Sequence, residues 1–299
     1  MAEDFDFADI FGCDPFEVVS PLRQSRAFVF NSPHSGRVYP QPFLDQSRLN
    51  TQLIRTSEDH YVDQLYACVP QFGVPLLQAN FPRAWLDVNR EPYELDPKMF
   101  NGPLPPHANI SSIRVSGGLG TVPKIVAENC EIYHSRMSVR EGLDRVEHVY
   151  RPYHEKLRKL ISKTHSMFGY AVLVDCHSMP SSVRATTGFR RPDFIIGDRY
   201  GTSADTRLTQ IALLLLQSMG YHAVHNKPYA GGFITEHYGR PHRNLHALQI
   251  EINRGLYINE KTLELKPGFD KLADDLRLFV GQFMQYVEHE LSDLQSAAE

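Results

Sequence analysis

The sequence predicts an α/β fold in three layers, with helices packed on a mostly parallel sheet, and three observations support that expectation. Short apolar runs alternate with segments of helical period along the chain. Three of those runs end abruptly in ionisable residues: 27–30 before Asn31-Ser32-Pro33-His34, 171–174 before Asp175-Cys176-His177-Ser178, and 247–250 before Glu251-Ile252-Asn253-Arg254. No internal repeat, low-complexity tract or interdomain linker interrupts the pattern, so a single domain is expected over residues 1–299. In a parallel sheet the C-terminal strand ends lie along one edge, and these three tips can converge on one crevice.

The elements follow in order. Residues 1–25 mix Asp, Phe, Pro and Gly without a steady period and are expected to form an irregular arm. Residues 26–31 read as a strand stopped by the turn residues Pro33-His34-Ser35-Gly36. Ser57-Glu58-Asp59 reads as a helix start, with Val62, Leu65, Tyr66 and Val69 at helical spacing and Gly73 closing the element. Residues 74–79 and 84–89 read as two short strands around the turn Asn80-Phe81-Pro82-Arg83. The stretch 91–123 is rich in Pro, Gly and Asn, and a loop of that length is expected to cover a site. Leu143, Val146, Tyr150, Tyr153, Leu157, Leu160 and Ile161 mark one long helical face, in which Pro152 must either begin a new helix or kink the existing one. After these come a strand at 171–175, a polar loop at 178–192, a strand at 194–197, a helix near 203–219 and a short strand at 221–224. A second loop cover is expected at 231–246, followed by a strand at 247–253 and a closing helix near 267–292.

Composition narrows the function. Lys+Arg at 31 against Asp+Glu at 35 gives a net charge of −4, which leaves no positive field for a nucleic acid or an anionic membrane. A small-molecule substrate is expected instead. The four cysteines form no C-x-x-C pair, which fits neither a zinc ribbon nor a thioredoxin-like motif and suits a reducing cytoplasm. The amino terminus is acidic where a secretory signal is basic and then apolar, and no apolar run approaches the roughly 18 residues of a membrane span. The glycines of Gly117-Gly118-Leu119-Gly120 lack the following Lys-Ser/Thr of a phosphate loop.

The chemistry concentrates at the strand tips. His177 follows a buried run where such sheets open, and Asp175 is placed to accept the second ring N–H of a liganding histidine. A capping aspartate beside a hydrogen-bonded histidine would give the same text. His34 supplies the partner imidazole, and the small pair Ser35-Gly36 permits close approach of metal or substrate. Two imidazoles suit Zn²⁺, and the third ligand must be a carboxylate. Asp59 is favoured and Glu58 retained, although both also suit the first turn of a helix. Glu251 stands where a buried strand would normally carry another apolar side chain, so it needs a partner or a task. The task is proton transfer, with desolvation raising its pKa; the alternative is an ion pair with Arg254. Arg90 with Asn89 offers a fork for the acid group of an amino-acid-like substrate, with Arg83 and Arg254 as second choices.

Pro33-His34-Ser35-Gly36, Glu58-Asp59 with Val62-Asp63 and Leu65, Asp87-Val88-Asn89-Arg90, Asp175-Cys176-His177-Ser178 and Glu251-Ile252-Asn253-Arg254-Gly255-Leu256-Tyr257 occur in one order. Together they resemble the N-formylglutamate amidohydrolase (deformylase) family over roughly residues 26–290. That family is distantly similar to zinc carboxypeptidases and shares a phosphorylase/hydrolase-like α/β fold. The resemblance implies one Zn²⁺ ion on His34, a carboxylate and His177, Glu251 as general base and acid, and Arg90 on the substrate carboxylate. It also implies hydrolysis of N-formyl-L-glutamate to formate and L-glutamate, in histidine degradation. Carboxypeptidase-like sites take their acidic ligand three residues after the first histidine, a position held here by Arg37, so Asp59 or Glu58 must serve. Two rival expectations stand beside this one: a metallohydrolase of another N-acyl amino acid or short peptide, and a noncatalytic protein that binds an acidic metabolite. A serine hydrolase is disfavoured because no G-x-S-x-G elbow occurs.

Overall fold

The computed structural model describes residues 5–183 and 191–298. Seven strands form one sheet in the spatial order Phe16–Val19, Leu76–Ala79, Phe28–Ser32, Ala171–Met179, Leu245–Asn253, Phe194–Gly197 and Ala223–His225. Ala171–Met179 pairs in parallel with Phe28–Ser32 and with Leu245–Asn253. Phe194–Gly197 runs antiparallel to Leu245–Asn253 and parallel to Ala223–His225. The sheet is thus mostly parallel and flanked by helices, as expected. Its two long central strands are paired on both edges and buried along almost their whole length, with apolar residues filling most of their first halves.

By internal contacts the chain divides into two compact units. The first comprises Met1–Glu17, Pro33–Asp59 and Gln78–Leu157. Its segment 91–123 is more ordered than the expected bare loop. A 3₁₀ turn at Pro97–Met99 leads into Phe100–Asn101, which pairs in parallel with Met137–Ser138, and a short helix follows at Ile113–Ser116. Leu95, Met99, Phe100, Val122 and Met137 form a small core beneath these elements. The arm at 1–25 is likewise structured in part. Asp6 caps the helix Phe7–Phe11 by accepting from Ala8 N, and Gly12 ends it at φ 71°. The strand expected at 84–89 is absent. Trp85 N and Leu86 N both donate to Pro82 O, and the Asp87 side chain accepts from Asn89 N, so local turns capture the backbone groups a strand would need.

The second unit comprises Val18–Ser32, His60–Leu77 and Arg158–Glu299. Phe28, Phe30, Val172, Val174, Cys176, Leu248, Ile250 and Ile252 line one face of its strands and pack with the helices Thr206–Ser218 and Gly268–Ala298. The helix expected to start at Ser57 begins instead at Val62 and ends at Leu65, because Tyr61 adopts a left-handed φ of 58°. A separate 3₁₀ turn, Val69–Phe72, precedes Gly73. The strand expected at 171–175 runs on to Met179, held in register by residues Gln249 to Asn253 of its neighbour. Of the polar loop expected at 178–192, residues 184–190 lie outside the described residues. The second loop cover is partly helical, at Phe233–Tyr238. Pro152 lies in the first turn after a local change of helix type. A π turn, Val146–Tyr150, joins Val139–Arg145 to Arg151–Phe168 and absorbs the missing N–H. No helix among the described residues is long and apolar enough to cross a membrane.

One buried carboxylate of this unit holds a turn together. Asp198 accepts from Asn226 Nδ2 at 2.7 Å, Gly201 N at 3.0 Å and Thr209 Oγ1 at 2.8 Å, with His225 Nε2 at 2.9 Å. Burial works to raise its pKa, but the donors from Asn226, Thr209, Gly201 N and His225 together outweigh it and hold the carboxyl below its ordinary 3.8. The unfolded chain therefore takes up the proton more readily. The stabilisation is complete above the unfolded value and disappears as pH falls through the lower folded value. Asp198→Asn is expected to cost about 2 kcal/mol at neutral pH. In urea unfolding at a series of pH values, the gap to wild type should close below 3.8.

Candidate metal centre

The first unit positions His34 through tight backbone contact. A Cβ on Gly36 would lie 2.0 Å from Phe81 O, so only glycine lets the turn after His34 lie against residues 80–82, where Val38 N donates to Asn80 O. The small residue thus serves a backbone approach, where the sequence suggested approach of metal or substrate. The contact carries His34, 1% exposed, to Asp87, with Nε2 2.8 Å from Asp87 Oδ1. Burial works to raise the Asp87 pKa, but Arg90, Arg83 and His34 together hold it well below the usual carboxylate range. A carboxylate only accepts, so Nε2 carries the proton and Nδ1 is the nitrogen with a lone pair. Nδ1 lies 3.4 Å from Asp59 Oδ2, while Asp59 N donates to His34 O at 2.9 Å. Glu58 is occupied differently: Arg55 grips both of its oxygens at 2.9 Å and Tyr39 OH donates at 3.2 Å.

The second unit lays out its polar groups by register. In the parallel pair, Glu251 stands opposite His177 and Gln249 opposite Asp175, so all four side chains share one face of the sheet. The other face carries the apolar core. His177 Nε2 lies 2.8 Å from Asp175 Oδ2, and Asn31 Nδ2 donates to Asp175 Oδ1 at 2.7 Å. The His177 tautomer follows as for His34, with Nδ1 left as the nitrogen whose lone pair could bind a metal. Gln249 Oε1 accepts from Gly232 N at 2.8 Å, which turns its NH₂ toward Glu251 Oε1, also at 2.8 Å. Glu251 is 8% exposed. A contact with an amide donor suits it as a carboxylate that can accept a further proton.

Within the first unit, His34 and Asp59 thus offer a pair of neighbouring potential ligand atoms; within the second, His177 offers another. Gln249 and Asn31 escaped the sequence reading. The signal was a polar residue at period two from Glu251 in one strand, and at the tip of an apolar run in the other.

The arginines differ in engagement. Arg90 donates from Nε to Leu119 O at 2.8 Å and from Nη1 to Asn89 O at 2.8 Å, with Nη2 3.4 Å from Asp87 Oδ2. Burial lowers its pKa. Arg83 places Nε 3.0 Å from Asp87 Oδ2, and its side chain is 25% exposed against 11% for Arg90. Asn89 donates its backbone N–H to Asp87. Arg254 is buried, with Nε 3.0 Å from Ser178 Oγ.

A mostly parallel α/β sheet that carries the carboxylate-buttressed His177 and the buried Glu251 on one face fits a hydrolase-like protein. The profile of the N-formylglutamate amidohydrolase family matches residues 26–258, and the chain belongs to that family. It is 28% identical over 248 residues to an N-formylglutamate deformylase of Pseudomonas aeruginosa, covering 82% of this chain and 87% of that protein. A second N-formylglutamate deformylase, from Pseudomonas putida, is 30% identical over 205 residues, covering 68% and 71%. The crystal structure of an N-formylglutamate amidohydrolase from Ralstonia eutropha superposes with a TM-score of 0.86 at 33% identity, covering 92% of this chain and 99% of that one.

Proposed function

We propose that this chain is a zinc-dependent amidohydrolase that cleaves N-formyl-L-glutamate into formate and L-glutamate. Family membership and two relatives named N-formylglutamate deformylase support the substrate. The geometry at His34 carries the metal. Two ligands each about 2.0–2.2 Å from a tetrahedral zinc lie roughly 3.3–3.6 Å apart, and His34 Nδ1 lies 3.4 Å from Asp59 Oδ2. Both histidines also hand Nε2–H to a buried carboxylate, the arrangement that orients a metal-binding imidazole and strengthens its donor nitrogen. His34, Asp59 and His177 are therefore the proposed ligands, with Glu58 set aside because Arg55 holds both of its oxygens.

Zinc, when bound, would polarise the formyl carbonyl and make a water molecule acidic near neutral pH. Glu251 would take a proton from the attacking water and deliver it to the leaving amine as the C–N bond breaks, so that formate and an amine result. The Gln249 amide would keep the Glu251 carboxylate aimed through that exchange. Arg90 with Asn89 is the proposed fork for the substrate carboxylate, with Arg83 and Arg254 as second choices; the Arg90 side chain is held beside Asp87, with Nη2 3.4 Å from its Oδ2. The four cysteines are free thiols, the state a reducing cytoplasm maintains.

Formate release should be compared across N-formyl-, N-acetyl- and N-succinyl-L-glutamate and N-formyl-L-aspartate, with amine release scored for the non-formyl members. N-formyl-L-glutamate is expected to exceed each of the others by about tenfold or more in kcat/KM, since one mismatched group costs roughly 1–3 kcal/mol. Equal turnover of N-formylglycine would remove the side-chain carboxylate from recognition.

A further inference from the structure

A hollow of about 310 Å³ in the first unit gathers cations from four segments of the chain. Arg48, Lys98, Lys124 and Arg136 line it together with one carboxylate, Glu131. Four cations against one carboxylate leave a surplus of three positive charges, in a chain whose net charge is −4. We propose that this hollow is a binding site for a compact multivalent anion, one that presents two or more phosphate or carboxylate groups. None of its residues is a proposed ligand or substrate residue of the metal centre.

Backbone hydrogen bonds lock the four segments around the hollow. Arg48 N donates to Ile132 O at 2.8 Å and Arg48 Nε to Tyr133 O at 2.9 Å, while Ile132 N donates to Lys124 O at 2.8 Å. Asp96 accepts from Lys98 N at the start of the 3₁₀ turn Pro97–Met99, and Asn101 Nδ2 donates to Arg136 O at 3.1 Å. An entering anion therefore meets a wall whose backbone is already ordered, which spares that part of the cost of binding. Glu131 engages only two of the cations, with Lys124 Nζ at 3.1 Å and Arg48 Nη1 at 3.3 Å. Lys124 foremost, with Arg48, holds its carboxyl below the ordinary 4.5. Lys98 and Arg136 have no carboxylate within ion-pair distance among the described residues. Like charges confined to one hollow repel, and a negatively charged occupant relieves that repulsion. Guanidinium forks and ammonium groups are the usual partners of phosphate and carboxylate oxygens. The volume sits at the lower end of small-ligand pockets, about 300–1,000 Å³, so the occupant is of metabolite size.

The test is calorimetric titration of the full chain with two probes, pyrophosphate and propane-1,2,3-tricarboxylate, at low salt. At least one is expected to bind one to one with a Kd below about 1 mM, and the tighter of the two assigns the class as phosphate or carboxylate. Lys98→Gln combined with Arg136→Gln should weaken that binding by about tenfold, a few-fold for each exposed ion pair. Both side chains are exposed, so the fold is expected to stay intact. Lys98→Arg combined with Arg136→Lys should retain the affinity. Lys156→Gln combined with Lys163→Gln removes the same charge from exposed positions of the helix Arg151–Phe168 and should change the affinity by less than about twofold. An anion held at the metal centre instead would keep its affinity when Lys98 and Arg136 are changed. That result would overturn the inference, as would no saturable binding of either probe, or an equal loss in the Lys156 and Lys163 control.

Discussion

Glu251→Gln is expected to lower formate release from N-formyl-L-glutamate by about 10²–10⁴-fold, the usual contribution of a positioned acid–base group, while zinc content and fold stay as in wild type. Glutamine matches glutamate in volume, and its amide oxygen can accept the bond from Gln249 that now ends on Glu251 Oε1. Nothing in the packing of a residue 8% exposed is disturbed. Only the capacity to take and return a proton is lost. A variant rate within tenfold of wild type would remove Glu251 from proton transfer. Loss of zinc along with activity would assign it to the metal instead.

His34→Ala should abolish zinc binding and activity together. Shared over four coordination positions, the roughly 10–16 kcal/mol of zinc binding comes to about 2.5–4 kcal/mol each, or about two to three orders of magnitude in affinity. The fold should survive, because Asp87 keeps Arg83 and Arg90 when the imidazole is gone. His177→Ala is a harsher change, since it removes the Nε2–H from the fully buried Asp175. Zinc added to wild type should raise the melting temperature by favouring the folded chain. That shift should vanish in His34→Ala, and a full shift in the variant would exclude His34 as a ligand.

The parts of the fold legible in the sequence are those where burial dictates residue type. The central strands are continuous apolar runs, and the ionisable residues breaking those runs marked His34, His177 and Glu251 for attention. Local pattern misled where side chains competed for the backbone. Residues 84–89 alternate like a strand, yet Pro82 and the Asp87 carboxylate fold them into turns. Val62, Leu65, Tyr66 and Val69 keep helical spacing although Tyr61 and the 3₁₀ turn at Val69–Phe72 divide them. Sequence reasoning could not see that Arg55 takes both oxygens of Glu58, the contact on which the proposal of Asp59 rests. The role of Asp87 was hidden for a related reason. Its partner His34 lies 53 residues away, and in the sequence Asp87 looks like a local ion pair for Arg90.

In the proposed mechanism His34, Asp59 and His177 hold one metal ion without which the amide bond is not cleaved. Formate release should be followed in protein stripped by a chelator, and again after one equivalent of zinc is returned, with metal content measured on the same samples. The stripped protein is predicted to be inactive and the reconstituted protein to regain its rate in proportion to bound zinc, up to one ion per chain. Full activity in protein that contains only traces of metal would contradict the claim.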